Sequence, residues 1–187
     1  MNRQLAVLYR VPVETDLSWT AYEFPDGDPR AGLHTQVGFL ALHSHPGKSS
    51  PTLRGKAIRE LLLCQKIPPP PGDVDFNLFN DPTLAQRTVR ERLTAHRTNP
   101  TCAGCHMLMD PLGLTLENFD GVGQYRTTEN GALIDVSGVL DQIPFNGPVE
   151  LGRALHDHPA TSSCLVNRLF AYAVARPVAS GEKAWLA

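Results

Sequence analysis

The sequence predicts a mainly α-helical protein with one small β-hairpin and long irregular stretches. Two segments open with a helix-capping residue followed by proline, and apolar residues then recur at helical spacing. Two more helical patterns close the chain. Between them, Asn130-Gly131 separates two short strand-like runs, which is a hairpin signal. The 15 Gly and 16 Pro among 187 residues supply the loops.

Residues 2–9 read as a short helix and 10–33 as an irregular stretch rich in Pro, Asp and Gly. Residues 34–43 are apolar but too short to type. Ser50-Pro51 starts a helix over 51–64, with Leu53, Ala57, Leu61 and Cys64 on one stripe and Cys64 at its buried end. The run IPPPPG at 67–72 cannot be helix or central strand, and reads as a stiff polyproline II connector. Asp81-Pro82 starts a second helix with Val89, Leu93 and His96 facing inward; Asn99-Pro100 ends it. A short helical piece is expected at 112–119, a Gly-rich turn at 120–123, strands near 124–128 and 132–136, and an irregular stretch at 137–147. Helices at 148–157 and 161–175 follow. The second carries Leu165, Leu169 and Tyr172 on one face, with Val166 and Phe170 beside them.

A net charge of −2 argues against a nucleic-acid or membrane-surface role. No stretch approaches the apolar length of a membrane span. The opening MNRQLAVLYRVP lacks a secretory h-region, so the chain reads as either cytosolic or an excerpt of something longer. There is no G-x-G-x-x-G or P-loop, hence no nucleotide or flavin signature.

The segment PTCAGCHMLMDPLG, from Pro100 to Gly113, carries the chemistry. Cys102, Cys105 and His106 form C-x-x-C-H. Two thiols one turn apart at a helix start can add to the two vinyl groups of haem, and the adjacent histidine can take the iron as proximal ligand. A redox dithiol wants a preceding strand in a βαβ setting, whereas a helix ending in Asn-Pro precedes this motif. A zinc site wants a second ligand pair, and His156 and His158 are too closely spaced to supply one. The reading is one covalent haem c inside a cytochrome c-like helical core.

The sixth iron position has several candidates. Met109 lies too close after His106 to reach the opposite haem face, so packing is its expected role. His96 is better placed to fold back as distal ligand; a core histidine or a propionate contact is the alternative. His43 and His45 are a third option, with a surface loop as the plain reading. His156 and His158 read as a helix C-terminus. His34 has no motif around it.

Three segments together resemble the C-terminal region of the large planctomycete-type cytochrome c-like proteins. They are SSPTLRGKAIRELLLCQKIPPPP, LTAHRTNPTCAGCHMLMDPLGLTLENFDGVGQYRTTENG and CLVNRLFAYAVAR. Those are secreted bacterial proteins of several consecutive domains of unknown function, and the resemblance covers nearly the whole chain. It implies Cys102 and Cys105 as thioether anchors, His106 as axial ligand, a histidine at the His96 position and the Asp110-Pro111 turn. Ala175 stands where the family usually has glycine. The resemblance also implies export, to the periplasm or beyond, as part of a longer precursor. In that setting Cys64 and Cys164 become a candidate disulfide, with two free buried thiols as the alternative.

The expected organisation is an N-terminal helical segment with its Pro-rich connector over 1–80 and a haem c-binding domain over 81–187. The leading expectation for function is a one-electron relay, partnered by a redox protein or by other domains of a longer parent chain. One alternative is a haem enzyme with an open sixth position, helped by His96, Arg97 or Glu117, although an exposed surface carboxylate is the commoner reading of Glu117. The other is a structural or interaction module stapled by haem.

Overall fold

The computed structural model describes residues 1–13, 18–69, 87–98 and 100–186. Residues 70–72 of the proline run and 81–86 of the second expected helix lie outside these, as does the side chain of His96. About half of the chain is helical. The elements are α1 (Arg3–Tyr9), α2 (Val37–Leu42), β1 (Ser44–His45), β2 (Lys48–Ser49), α3 (Pro51–Ala57), α4 (Val89–His96), α5 (Pro100–Leu114), β3 (Thr128–Glu129), β4 (Ala132–Leu133), β5 (Ser137–Leu140), β6 (Ile143–Asn146), α6 (Gly147–Asp157), α7 (Pro159–Val174) and α8 (Lys183–Leu186). The strands pair antiparallel as β1–β2, β3–β4 and β5–β6. Mainly α is therefore the observed class.

Helix α3 begins as its sequence dictates. Ser50 accepts from the Leu53 N–H, and Pro51 fills the first turn, where an N–H would have no partner. The helix widens into one π-helical turn, Ile58–Leu62, and Cys64 follows with φ of 53°. Helix α4 starts at Val89, not at Asp81. Thr88 and Glu91 form a reciprocal capping box there, the Glu91 N–H donating to Thr88 Oγ1 and Glu91 Oε2 accepting from the Thr88 N–H, each at 3.2 Å.

Residues 112–119 are not a separate helix. Helix α5 runs on through Pro111 to Leu114, and turns carry the chain to Phe119, which bridges to Tyr125. The expected hairpin forms between β3 and β4, with Asn130 at φ 48° and Gly131 at φ 75°, although the strands are shorter than their patterns. A second hairpin, β5–β6, replaces the irregular stretch expected at 137–147. Asp141 and Gln142 both take positive φ at its tip, where no glycine announces the turn.

The apolar core joins Leu40, Ile58, Leu112, Phe119, Leu140 and Leu151, from helices and hairpin alike. Its tightest seam is between α3 and α5, which run antiparallel. A Cβ on Gly55 would fall 1.9 Å from the Met109 carbonyl oxygen, and one on Gly113 would fall 1.7 Å from that of Pro51. Each helix thus offers a glycine to the other's backbone. On the next face of α5, Gly138 of β5 lies against Thr115 and the Pro111 carbonyl.

The outer helices differ from expectation. Cys164 is the buried residue of α7, while Leu169 and Tyr172, read as core-facing, are 69% and 88% exposed. Cys64 is exposed rather than buried, yet it bonds to Cys164, with the two Cα atoms 5.4 Å apart. Helix α7 ends on Ala175 at φ 54°, the left-handed position that explains the glycine usual in the resembling proteins. His34 is buried, and its Nε2–H donates to the Pro148 carbonyl at 2.9 Å, tying the segment before α2 to the start of α6. No helix among the described residues is long and apolar enough to cross a membrane.

Two predictions follow from this packing. Gly113→Ala should cost about 3 kcal/mol or more, because backbone must move. Gly104→Ala lies in the same helix with nothing within 4 Å of its Cβ, and should stabilise by up to about 1 kcal/mol through helix propensity. Urea unfolding of both variants checks the contrast, and equal effects would refute the seam. Secondly, burial holds the His34 pKa below its ordinary 6.5, partly offset by the Pro148 hydrogen bond. The unfolded chain therefore binds a proton first as pH falls. Stability due to neutral His34 is present above 6.5 and is lost as pH drops through the lower folded value. His34→Gln, which keeps a donor but cannot titrate, should flatten that part of the stability–pH curve.

Candidate functional site

Pro100 opens α5, where the missing N–H costs nothing. From there the C-x-x-C-H motif follows on consecutive turns. Cys102 and Cys105 are three residues apart, hence on one side of the helix. Both are unbridged and partly exposed, in a chain whose other two cysteines are joined.

His106 is positioned from one turn further on. Its Nδ1 lies 3.0 Å from Asp110 Oδ2 and 3.1 Å from Oδ1. Asp110 is fully buried, and its Oδ1 also accepts from Thr52 Oγ1 of α3 at 3.0 Å. A carboxylate only accepts, so Nδ1 carries the proton and the ring's lone pair is at Nε2. The imidazole side chain is 18% exposed.

The helix changes character along its length. Met109, Asp110, Leu112 and Leu114 are buried, whereas Met107 is 65% and Leu108 45% exposed. Beside them Gly104 faces open space. The thiol-bearing half of α5 therefore presents uncovered apolar surface, while its second half is held in the core. This donor set fits haem c: two thiols for the vinyl groups, one imidazole nitrogen for iron, and an apolar surface for the ring.

Beneath the motif lies a buried ion network. Arg54 of α3 has no exposed surface. Its Nη1 donates to the carbonyls of Leu116 at 3.0 Å and Phe119 at 2.6 Å, and its Nη2 to those of Asp120 and Leu40 and to Ser44 Oγ. Glu117 is also buried. Its Oε2 accepts from Ser49 Oγ at 2.8 Å and Arg126 Nη2 at 2.9 Å, and its Oε1 is 3.7 Å from Arg54 Nη1. Glu117 is thus not the surface carboxylate its sequence position suggested. Burial pushes its carboxyl above the usual range, against the pull of Arg54, Ser49 and Arg126. Burial likewise lowers Arg54 to about 10, which leaves it charged at neutral pH.

The remaining candidates are dispersed. Met109 is buried against α3, as packing requires. His96 closes α4, and its side chain lies outside the described residues. Arg97 donates to Thr94 Oγ1 and lines a small cavity with Arg90, Pro111, Leu114 and Val139. His43 ends α2 against Phe39, and His45 is exposed on β1. His156 pairs with Asp157 in the last turn of α6. His158 is instead the N-cap of α7, accepting from the Ala160 N–H, and faces Asp141 at 3.0 Å. Among the described residues, no group of three or more His, Cys, Asp or Glu is gathered as a metal site, so the zinc reading finds no assembled ligand set. Asp110 and Thr52 escaped the sequence reading. The i, i+4 spacing of His106 and Asp110 was the available signal for the first, and nothing local pointed to the second.

Residues 30–129, more than half of the chain, match PSCyt3, described as a protein of unknown function (DUF1588). The chain belongs to this family. PSCyt3 is a planctomycete-type, cytochrome c-associated family, which agrees with the resemblance seen in the sequence. The PSCyt3 segment contains the whole α3–α5 seam, the C-x-x-C-H motif, Thr52, Asp110 and the Arg54–Glu117–Arg126 network. Helices α6 and α7, with Cys164, lie beyond it. No curated protein and no solved structure matches the chain.

In this PSCyt3 chain Arg54→Met should cost about 3–5 kcal/mol, since it strands a buried carboxyl and several carbonyls. Adding Glu117→Gln should recover part of the loss. A double-mutant cycle by chemical denaturation measures the coupling, and strictly additive losses would contradict it.

Proposed function

We propose that the chain is a c-type cytochrome module. Cys102 and Cys105 hold one haem c through thioether bonds, and His106 is its proximal axial ligand. The observation that carries this reading is the pairing of two unbridged thiols, one turn apart, with a neighbouring imidazole whose Nδ1 is committed to buried Asp110. Haem c bound there supplies a one-electron ferric/ferrous couple. The protein's own residues do the rest. Cys102 and Cys105 fix the ring against the uncovered side of α5, Met107 and Leu108 exclude water from it, and His106 presents Nε2. His96, at the end of the preceding helix, is the proposed distal ligand.

We infer single-electron relay within or beside a larger exported redox protein, with a one-electron redox protein or neighbouring domains of a longer parent chain as partner. Family membership supports a cytochrome context. The Cys64–Cys164 bridge supports an oxidising compartment, periplasmic or secreted.

The test is production of the chain in a periplasm equipped for cytochrome c maturation. Intact mass should show one added haem, and Cys102→Ala/Cys105→Ala should abolish it. The reduced spectrum should be low-spin and insensitive to carbon monoxide, and His96→Ala should make it sensitive. A high-spin, ligand-sensitive wild type would replace relay by an open-site enzyme. A chain that takes no haem in that host ends the cytochrome reading.

A further inference from the structure

We propose that Asp110 and Thr52 are positioning residues that set the reduction potential of the site through the His106 ring. This rests on the haem reading above and assigns a role that neither the motif nor the family description contains. The geometry is a relay of hydrogen bonds running inward from the helix face. Thr52 Oγ1 donates to Asp110 Oδ1 at 3.0 Å, and both Asp110 oxygens lie within 3.1 Å of His106 Nδ1. Asp110 has no exposed surface, and its hydrogen-bond partners among the described residues are these two. A buried carboxylate with so few donors draws strongly on the one N–H it shares. The proton stays on Nδ1 but is displaced toward Asp110, so the ring gains imidazolate character and Nε2 becomes a stronger donor. A stronger axial donor favours ferric over ferrous iron and lowers the potential.

Thr52 acts in the opposite sense. Its hydroxyl takes up part of the carboxylate charge and weakens the pull on Nδ1. It comes from α3, and α3 is locked to α5 through Gly55 and Gly113, so its distance to Asp110 is held by backbone contact. The two residues form an opposed pair on a rigid base, one pushing the potential down and the other restraining that push. Each turnover of the couple takes one electron from a donor protein and passes one to an acceptor; the Nδ1 proton is retained throughout.

The experiment measures midpoint potentials of the haem-loaded wild type, Asp110→Asn and Thr52→Val. Asp110→Asn should shift the potential to more positive values. Thr52→Val, which alters no charge, should shift it to more negative values. A merely structural role gives no reason for opposite signs. Shifts of the same sign, or none, overturn the proposal. If Asp110→Asn fails to fold, Thr52→Val decides alone, and an unchanged or more positive potential refutes the idea. A second readout needs no haem. In haem-free protein labelled with 15N in its imidazoles, His106 should be locked in the Nδ1–H tautomer, and Asp110→Asn or Thr52→Val should change its Nδ1 shift in opposite directions. A mixed tautomer in the wild type sinks the proposal. A chain that accepts no haem sinks the cytochrome reading instead, and the tautomer measurement still judges Asp110 and Thr52.

Discussion

Arg54 sits without exposed surface between α3 and the turns that follow α5, and its guanidinium gathers carbonyls from Leu40, Leu116, Phe119 and Asp120. Those carbonyls belong to segments with no regular ladder of their own. A buried peptide oxygen without a partner is costly, so the irregular chain from Thr115 to Asp120 can lie inside only because one long, five-donor side chain reaches all of it. Arg54 in turn needs a counter-charge, and Glu117 sits within that same irregular segment. The charge is shared again with Arg126 just before β3. Helix, turn and hairpin are thus joined by one ion network rather than by strand pairing.

That network explains how a short helix can hold a precise site. The second half of α5 is gripped on three sides: by α3 through the glycine seam, by β5 through Gly138, and by Arg54 from the turns beyond its end. Its first half carries the thiols and the imidazole and stands clear of the core. Sites on rigid elements keep their geometry better than sites on loops. Here the rigid part is also the origin of the hydrogen bond that orients His106. The cost is compositional: Gly55, Gly113 and Gly138 admit no side chain, and Arg54 admits no shorter cation.

Much of this was legible where the cause is local. Ser50-Pro51 and Asn130-Gly131 act within a few residues, and both did what their chemistry requires. The C-x-x-C-H motif is likewise a local pattern. What escaped depends on partners distant in sequence. Glu117 reads as a surface carboxylate because Arg54, Ser49 and Arg126 are invisible until the chain folds. The apolar stripe on α7 shows periodicity, but periodicity says nothing of what lies opposite, and Leu169 and Tyr172 face outward. The β5–β6 hairpin turns on two non-glycine residues at positive φ, so no turn signal marks it. The start of α4 was a different case. Thr88-x-x-Glu91 was readable, and Asp81-Pro82 drew the reading away from it.

The bond between Cys64 and Cys164 makes the chain a covalent ring with two tails. Its ends are 100 positions apart. Helices α4 and α5, the two later hairpins and α6 lie in the ring; α3 lies in the leading tail and most of α7 in the trailing one. A single backbone cut anywhere inside the ring opens it without releasing a piece, and the halves part only on reduction. A cut in the leading tail, by contrast, leaves the seam between α3 and α5 as a contact between separate molecules. The bridge therefore secures the ring that bears the thiols, while the clamp that steadies their helix is held by packing alone.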